Sequence, residues 1–311
     1  MNMEKMASKI RSAQLLIFIF LYCLTFVSQG FSQKSPKLIA PGEKVVKLAD
    51  GFAFTEGPAV DSKGNVYFTD QPNNKIHIWT TEGKLETFLE NSGRANGLYF
   101  DLKGNLLACA DMDNQLWSIT IADTSHTILV LNYNDKTLNG PNDLWVRPDG
   151  GIYFTDPLYV RPYWVRSKEM QQDGEHVYFI SPDSKTMSRV TNDLVKPNGI
   201  IGTPDGKKLY VADIGANKTY VYDILPDGSL VNKKLFAELG SDGMTIDQKG
   251  NVYLTGNGVT VFNKKGRQKA HIKVDAGWTA NVCFGGKEMK TLFITASQYL
   301  YSLKMNVEGV R

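Results

Sequence analysis

The sequence predicts an all-β protein folded as a six-bladed β-propeller. Three observations predict this fold. The chain contains six related segments, each segment carries several short strand-like stretches, and each begins with an oxygen-bearing side chain. The 311 residues are 42% hydrophobic and 22% charged, a balance that is typical of a soluble globular chain and that argues against long disorder.

The six related segments begin near residues 56, 96, 142, 198, 242 and 281, so their spacings are 40, 46, 56, 44 and 39 residues. In the first five segments a glycine follows eight positions later, at a turn where positive φ suits glycine. An apolar strand precedes this turn, and a strand rich in β-branched and aromatic residues follows it. Three to four short strands in a period of about 45 residues are typical of a propeller blade.

Two further features complete the predicted architecture. The segment 44–54 precedes the first repeat and is predicted to be a strand that completes the last blade, closing the ring and protecting a sheet edge. Asp70, Asp111, Asp156 and Asp213 end the second strand of four repeats, and we expect these carboxylates to cap turns.

Residues 1–32 are predicted to be a cleavable signal peptide, with cleavage before Gln33. Three basic residues precede an apolar run over residues 15–27, and small and polar residues follow it, which is the order of a secretory signal. An uncleaved membrane anchor is the alternative, but the run is short for a span of roughly 20 residues. We therefore expect a secreted or periplasmic protein, with residues 33–311 forming a single six-bladed propeller domain and no membrane contact after cleavage.

The charge of the chain does not suggest a nucleic-acid partner. The formal net charge is +3, and basic residues of the leader supply part of it. Nucleic-acid-binding proteins concentrate basic residues on one surface. Since the net charge of this chain is small, no nucleic-acid partner is expected. The chain has three cysteines, too few for a disulfide scaffold, and Cys109 and Cys283 are predicted to be buried free thiols.

The first residues of the six segments form the candidate site. A propeller holds equivalent residues of its blades at one height around the central channel, so six side chains should converge at one mouth: Glu56, Asn96, Asn142, Asn198, Asp242 and Asn281. Two carboxylates and four amides suit a metal site in the central channel that holds one divalent cation, Ca²⁺ first and otherwise Mg²⁺, Mn²⁺ or Zn²⁺. The alternative is that these residues only cap strand ends.

Four motifs that contain these residues resemble the signature segments of the gluconolactonase family, the group that includes regucalcin and, more distantly, diisopropyl fluorophosphatase. The motifs are Glu56-Gly57-Pro58, Pro141-Asn142-Asp143-Leu144, Pro197-Asn198-Gly199 and Asp242-Gly243-Met244. Phe154-Thr155-Asp156-Pro157, with Tyr159 close behind, is similar to the bacterial gluconolactonase branch. The resemblance covers about residues 45–305.

The resemblance implies a six-bladed propeller that binds one catalytic divalent metal and hydrolyses lactones or related esters. Carried over by motif, it implies that Glu56, Asn198 and Asp242 are the principal metal ligands. Asn142 would be a fourth ligand or a substrate contact, and Asn96 and Asn281 would contact substrate nearer the edge of the site. One departure disfavours organophosphate chemistry, because Ala296-Ser297 stand near the place where the fluorophosphatase branch has a histidine.

The longest spacing contains an aromatic and basic insertion, residues 157–174. Long loops on a rigid scaffold often carry function, so Tyr159 and Arg161 are predicted to contact a sugar-like substrate, with the arginine meeting a carboxylate or phosphate. Whether this loop acts as a lid is left open.

Together these features predict a metal-dependent lactonase that acts on a small-molecule lactone or ester. Asp242 is predicted to be its general base, since it is one of two ring carboxylates. Two rivals remain: a non-catalytic periplasmic propeller that binds a ligand or a protein, and an aryl-ester or organophosphate hydrolase on the same metal site.

Overall fold

Six antiparallel four-stranded blades form the fold, which confirms the predicted six-bladed β-propeller. Four of them are separate sheets, and blades 5 and 6 are joined into one eight-stranded sheet where Gly256 pairs with Thr279. The computed structural model describes residues 38–310, and these residues belong to one compact unit. The predicted signal peptide, residues 1–32, and its cleavage site before Gln33 lie outside the described residues. Within the described part of the chain, no helix is both long enough and apolar enough to span a membrane.

The strands follow the chain in the order that the repeats predict. The first strand and blades 1 and 2 comprise β1 (Val46–Ala49), β2 (Thr55–Val60), β3 (Val66–Asp70), β4 (Lys75–Trp79), β5 (Leu85–Glu90), β6 (Ala95–Phe100), β7 (Leu106–Ala110), β8 (Gln115–Ile119) and β9 (His126–Val130). An unpredicted hairpin and blade 3 comprise β10 (Asn132–Tyr133), β11 (Lys136–Thr137), β12 (Leu144–Val146), β13 (Ile152–Asp156), β14 (His176–Ile180) and β15 (Met187–Arg189).

Blades 4 to 6 complete the series. They comprise β16 (Pro197–Gly202), β17 (Lys208–Asp213), β18 (Lys218–Ile224), β19 (Leu230–Ala237), β20 (Met244–Ile246), β21 (Val252–Gly256), β22 (Gly258–Phe262), β23 (Gln268–Ile272), β24 (Thr279–Gly285), β25 (Thr291–Ala296) and β26 (Tyr299–Lys304). Two short 3₁₀ turns, Gln71–Asn73 and Asp111–Asp113, follow β3 and β7.

Burial decreases from the channel outward within each blade. All five residues of β3 are buried, whereas the outer strand β5 is mostly exposed. Hydrophobic clusters fill the space between neighbouring blades, as where Tyr67 and Ile76 of blade 1 pack with Leu98 and Trp117 of blade 2. Since burying one large apolar side chain stabilises a fold by about 1.5–3 kcal/mol, these contacts between blades hold the ring together.

The ring closes through the first strand of the chain. β1 pairs antiparallel with β26, with Val46 opposite Ser302 and Lys47 opposite Tyr301. This pairing confirms the expectation that the segment 44–54 completes the last blade. Cys109 and Cys283 are buried free thiols, as the sequence predicts.

Candidate active site

In four blades, a β-bulge near the start of the innermost strand sets the direction of the ring residue's side chain. The register shifts between Glu56 and Ala59 in β2, and equivalent shifts occur in β6, β16 and β24. A bulge re-aims side chains and strengthens the local twist. The ring positions are therefore offset from the regular alternation of the strands that follow them.

Glycine follows the ring residue in four blades, and its missing side chain allows the next blade to approach. A Cβ atom on Gly57 would lie 2.1 Å from the backbone oxygen of Asn96, and one on Gly97 would lie 2.5 Å from that of Asn142. Cβ atoms on Gly199 and Gly243 would lie 3.0 Å from the Asp242 oxygen and 2.0 Å from Asn281 Cγ. Neighbouring ring positions are thus in contact around the channel.

Asn198 and Asp242 form the tightest side-chain pair of the ring. Asn198 Nδ2 donates to Asp242 Oδ1 at 2.8 Å and to the Tyr159 hydroxyl oxygen at 3.0 Å. The indole N–H of Trp278 donates to Asp242 Oδ2 at 2.6 Å. Burial raises the pKa of Asp242, while the Trp278 and Asn198 hydrogen bonds and the charge of Arg161 oppose the rise.

Glu56 is the second ring carboxylate and is 3% exposed. Its Oε2 atom accepts from the backbone N–H of Gly57 at 3.0 Å. Burial raises the pKa of Glu56 well above its ordinary value, and the negative charges of Asp242 and Asp143 raise it further. Two carboxylates in a buried site repel each other, and a bound cation would offset this repulsion.

Asp143 is a buried carboxylate that sequence reasoning missed. It occupies the position where blades 1, 2, 4 and 5 have glycine, and burial raises its pKa to about 8. The signal was available in the alignment of the repeats, because a carboxylate replaces a recurring glycine only in the third segment. Its side chain lies against Asn281 Nδ2, which donates to Asp143 Oδ2 at 3.4 Å.

The contact between Asp143 and Asn281 joins blades 3 and 6 across the channel. Both residues also line a cavity of about 430 Å³, where the apolar faces of the innermost strands of all six blades meet. The Oδ1 atom of Asn281 already accepts from the backbone N–H of Val282 at 2.8 Å.

Asp111, which follows β7 of blade 2, holds the 157–174 insertion against that blade. Tyr163 donates its hydroxyl proton and Trp164 its indole N–H to Asp111 Oδ2, at 2.8 Å and 3.0 Å. Arg166 lies 3.6 Å from Asp111 Oδ1. The prediction that Asp111 caps a turn was therefore wrong, because its carboxylate is saturated by a loop from the next blade.

The other three aspartates at this position accept backbone N–H groups from the segments that precede the innermost strands. Asp213 also accepts from the Ala216 N–H in the turn that follows it, as predicted, but Asp70 makes no side-chain cap to the 3₁₀ turn that follows it. Asp70 accepts from the backbone N–H groups of Ala53 and Phe54 at 3.1 Å each. Asp156 accepts from Asn139 and Gly140 in the same way, at 2.9 and 2.8 Å. The carboxylate of Asp213 accepts from the backbone N–H groups of Val195 and Lys196, at 2.9 Å each. These caps fix the segments that enter the innermost strands just before the ring residues.

Tyr159 and Arg161 lie beside the ring, in the first part of the insertion. The hydroxyl of Tyr159 contacts Asn198, and the Arg161 guanidinium lies 5.2 Å from the centre of the Tyr159 ring. The positive charge of Arg161 lowers the pKa of both Glu56 and Asp242. Both residues are therefore near enough to the two carboxylates to contact a small molecule bound there.

The donor set fits a cation that prefers oxygen ligands. Among residues 38–310, no group of three or more histidine, cysteine, aspartate or glutamate side chains forms a metal cluster, so a cation would depend on two carboxylates and on amide oxygens. The Oδ1 atom of Asn198 is buried and has no hydrogen-bond partner in the described part of the chain. A buried oxygen without a partner is costly, and a bound cation would supply one.

Comparison with known proteins places this geometry in a family. The model of the SMP-30/Gluconolactonase/LRE-like region matches residues 54–298. A gluconolactonase from Zymomonas mobilis is 27% identical over 309 aligned residues, covering 90% of this chain and 86% of that protein.

Two solved structures have the same fold over most of their length. An X-ray structure presented as that of a candidate gluconolactonase superposes with a TM-score of 0.83 at 31% identity, covering 88% of this chain and 96% of that one. The gluconolactonase from Xanthomonas campestris superposes with a TM-score of 0.81 at 28% identity, covering 86% and 91%.

Proposed function

The chain belongs to the SMP-30/gluconolactonase/LRE-like family, and we propose that it is a lactonase that hydrolyses a small lactone with the help of one divalent metal ion. The observation that carries the proposal is the ring at the channel mouth. The negative charge of Asp242 raises the pKa of Glu56, and the buried Oδ1 atom of Asn198, whose Nδ2 binds Asp242, has no hydrogen-bond partner among residues 38–310. The gluconolactonases to which the chain is similar support the choice of a lactone as substrate.

In this proposal Glu56, Asn142, Asn198 and Asp242 hold the cation, with Ca²⁺ the first choice because all four ligands are hard oxygens. A divalent cation held by these residues would supply positive charge to an ester carbonyl and to the oxyanion formed from it. Asn96, Asn281, Tyr159 and Arg161 are proposed to contact the substrate.

Asp242 is the proposed general base, removing a proton from the attacking water. Its pKa is raised by burial, which makes it a better proton acceptor than an ordinary aspartate. The amide of Asn198 and the indole of Trp278 bind its two oxygens and so orient the carboxylate. Glu56 has the deeper and more strongly perturbed carboxylate and is proposed to remain an anionic anchor.

Chelation tests the proposal. Purified protein would be treated with a chelator, checked by elemental analysis, and assayed on a panel of aldonolactones before and after addition of Ca²⁺, Mg²⁺, Mn²⁺ or Zn²⁺. Hydrolysis that disappears with the metal and returns with one of these ions supports the proposal. Full activity in metal-free protein would contradict the metal, and no hydrolysis of any lactone by metal-loaded protein would contradict the lactonase.

We further propose that the protein is exported, as the order of basic, apolar and small residues in 1–32 indicates. Mass spectrometry of protein recovered from the periplasm or medium would give a mature chain that begins at Gln33. An intact Met1 on exported protein would refute cleavage.

A further inference from the structure

We propose that Arg161 binds a carboxylate on the substrate, so that the preferred substrate is a sugar-acid lactone that carries a free carboxylate away from its ester. This inference rests on the proposed lactonase function and specifies its substrate class. The basic side chains near the ring differ in whether an acceptor binds their positive charge.

Arg161 is a basic side chain beside the ring that has no hydrogen-bond acceptor among residues 38–310, whereas Arg94, which stacks on Tyr163, donates to the backbone oxygen of Pro72. Lys196 donates to both carboxylate oxygens of Glu175, at 2.9 and 3.0 Å. Arg166 donates to two backbone oxygens and lies beside Asp111. Within residues 38–310, by contrast, no acceptor pairs with the Arg161 guanidinium, and its Nε atom is buried without a partner.

Arg161 lies beside Tyr159, whose hydroxyl contacts the ring residue Asn198. Its guanidinium lies 5.2 Å from the centre of the Tyr159 ring, and Lys196 Nζ lies 4.7 Å from the same ring. The hydroxyl of Tyr159 accepts from Asn198. Tyr159 therefore contacts both Arg161 and one of the proposed metal ligands. The positive charge of Arg161 lowers the pKa of both Glu56 and Asp242, although Arg161 forms no ion pair with either carboxylate.

The unpaired charge of Arg161 favours an anionic group on the substrate. A divalent cation would offset Glu56 and Asp242 and would leave the Arg161 guanidinium without an ion-pair partner among residues 38–310. The planar guanidinium fork matches a carboxylate with two parallel hydrogen bonds, and a single arginine offsets the single charge of a carboxylate better than the nearly double charge of a phosphate.

A matched pair of lactones tests the inference. D-Glucono-1,4-lactone and D-glucaro-1,4-lactone differ only at C6, which is a hydroxymethyl group in the first and a carboxylate in the second. We expect metal-loaded wild-type protein to have the higher kcat/KM on the glucarolactone. Arg161→Gln should lower the ratio of the two kcat/KM values by about 10- to 100-fold, the range for a lost charged hydrogen bond, and Arg161→Lys should lower it less because the charge remains.

Lys168→Gln is the control, since it removes one positive charge from an exposed position of the same loop and should leave the ratio unchanged. Equal kcat/KM values on the two lactones, or a ratio that Arg161→Gln does not change, would overturn the inference. If neither lactone is hydrolysed, the proposed function fails, and calorimetry with D-glucarate and D-gluconate still decides the inference. Tighter binding of glucarate that is lost in Arg161→Gln supports it, and equal affinities refute it.

Discussion

Trp278 donates its indole N–H to Oδ2 of Asp242 at 2.6 Å, while the other carboxylate oxygen accepts from Asn198. The indole belongs to the segment between blades 5 and 6 and is 39% exposed. Its backbone is held in turn by Ser297, whose hydroxyl accepts from the Trp278 N–H at 3.0 Å. Ser297 therefore supports the side chain that orients the proposed base.

Trp278→Phe should lower kcat/KM on a lactone by about 10-fold, because it removes one charged hydrogen bond and leaves Asp242 freer to rotate. Phenylalanine keeps an aromatic side chain at this position, so the thermal midpoint of unfolding should change little. Ser297→Ala, which leaves the indole in place, should have a smaller effect. Wild-type kcat/KM in Trp278→Phe would show that the indole has no part in orienting the carboxylate.

Asp242→Asn and Asp242→Ala should both abolish turnover but should differ in metal affinity. Asparagine keeps an oxygen at the same reach, whereas alanine removes the ligand. Loss of a general base typically costs about 10²- to 10⁴-fold in rate. Rate and metal content must be measured on the same samples. Near wild-type turnover by metal-saturated Asp242→Asn would show that Asp242 is only a metal ligand. Glu56 would then be the next general base to test.

Asp111→Ala should release the 157–174 insertion. The change leaves the Tyr163 hydroxyl and the Trp164 indole without their acceptor, and each buried donor left unsatisfied costs about 1–3 kcal/mol. We expect trypsin to cleave at Arg166 or Lys168 at least about 10-fold faster than in wild type, because the loop opens more often. Asp113→Ala, at an exposed neighbouring position, is the control. Equal cleavage rates in all three proteins would mean that Asp111 does not hold the loop.

Gly97→Ala should lower the free energy of unfolding by about 2 kcal/mol or more, in the range of overpacked sites. Its Cβ would lie 2.5 Å from the backbone oxygen of Asn142 and 2.8 Å from the Cα of Asp143, so blades 2 and 3 would have to separate. Gly277→Ala is the matched control, since its Cβ would come no closer than 3.6 Å to another atom, the Ser297 hydroxyl oxygen. Guanidinium unfolding measures both, and equal midpoints would contradict the close approach of the blades.

Asp156 should make the protein less stable as the pH rises from about 4 to 7. Burial raises the pKa of Asp156 to about 7, whereas an unfolded aspartate titrates near 3.9. Between these values the folded state keeps a proton that the unfolded state has lost. The free energy of unfolding therefore falls with rising pH, by at most about 1.4 kcal/mol per pH unit from this group.

Urea unfolding at several pH values compares wild type with Asp156→Asn. The variant cannot titrate, so its free energy of unfolding should fall less steeply across this window. Asp213→Asn, which alters the equivalent cap in blade 4, controls for the lost hydrogen bonds. Parallel curves for wild type and Asp156→Asn would show that Asp156 is ionised in the folded state across the window.

Much of the fold could be read from the repeats. Strand periodicity and turn glycines are local features, and six copies of them defined six blades, the strand that closes the ring and the contact between neighbouring ring positions. The ring from Glu56 to Asn281 was predictable because the fold brings equivalent positions together. Asp143 was missed because the search followed the first residue of each repeat and not the position after it.

The spacing of the repeats is enough to assign residues to equivalent positions in the blades, because β-structure repeats with a fixed period and blade symmetry converts that period into a ring. Which side chains meet across the ring depends on the folded chain as a whole. Asn281 contacts Asp143 over a separation of 138 residues, Tyr163 reaches Asp111 over 52, and Trp278 reaches Asp242 over 36. These contacts depend on how bulges aim side chains and on where loops pack over neighbouring blades, and no local pattern in the sequence specifies either.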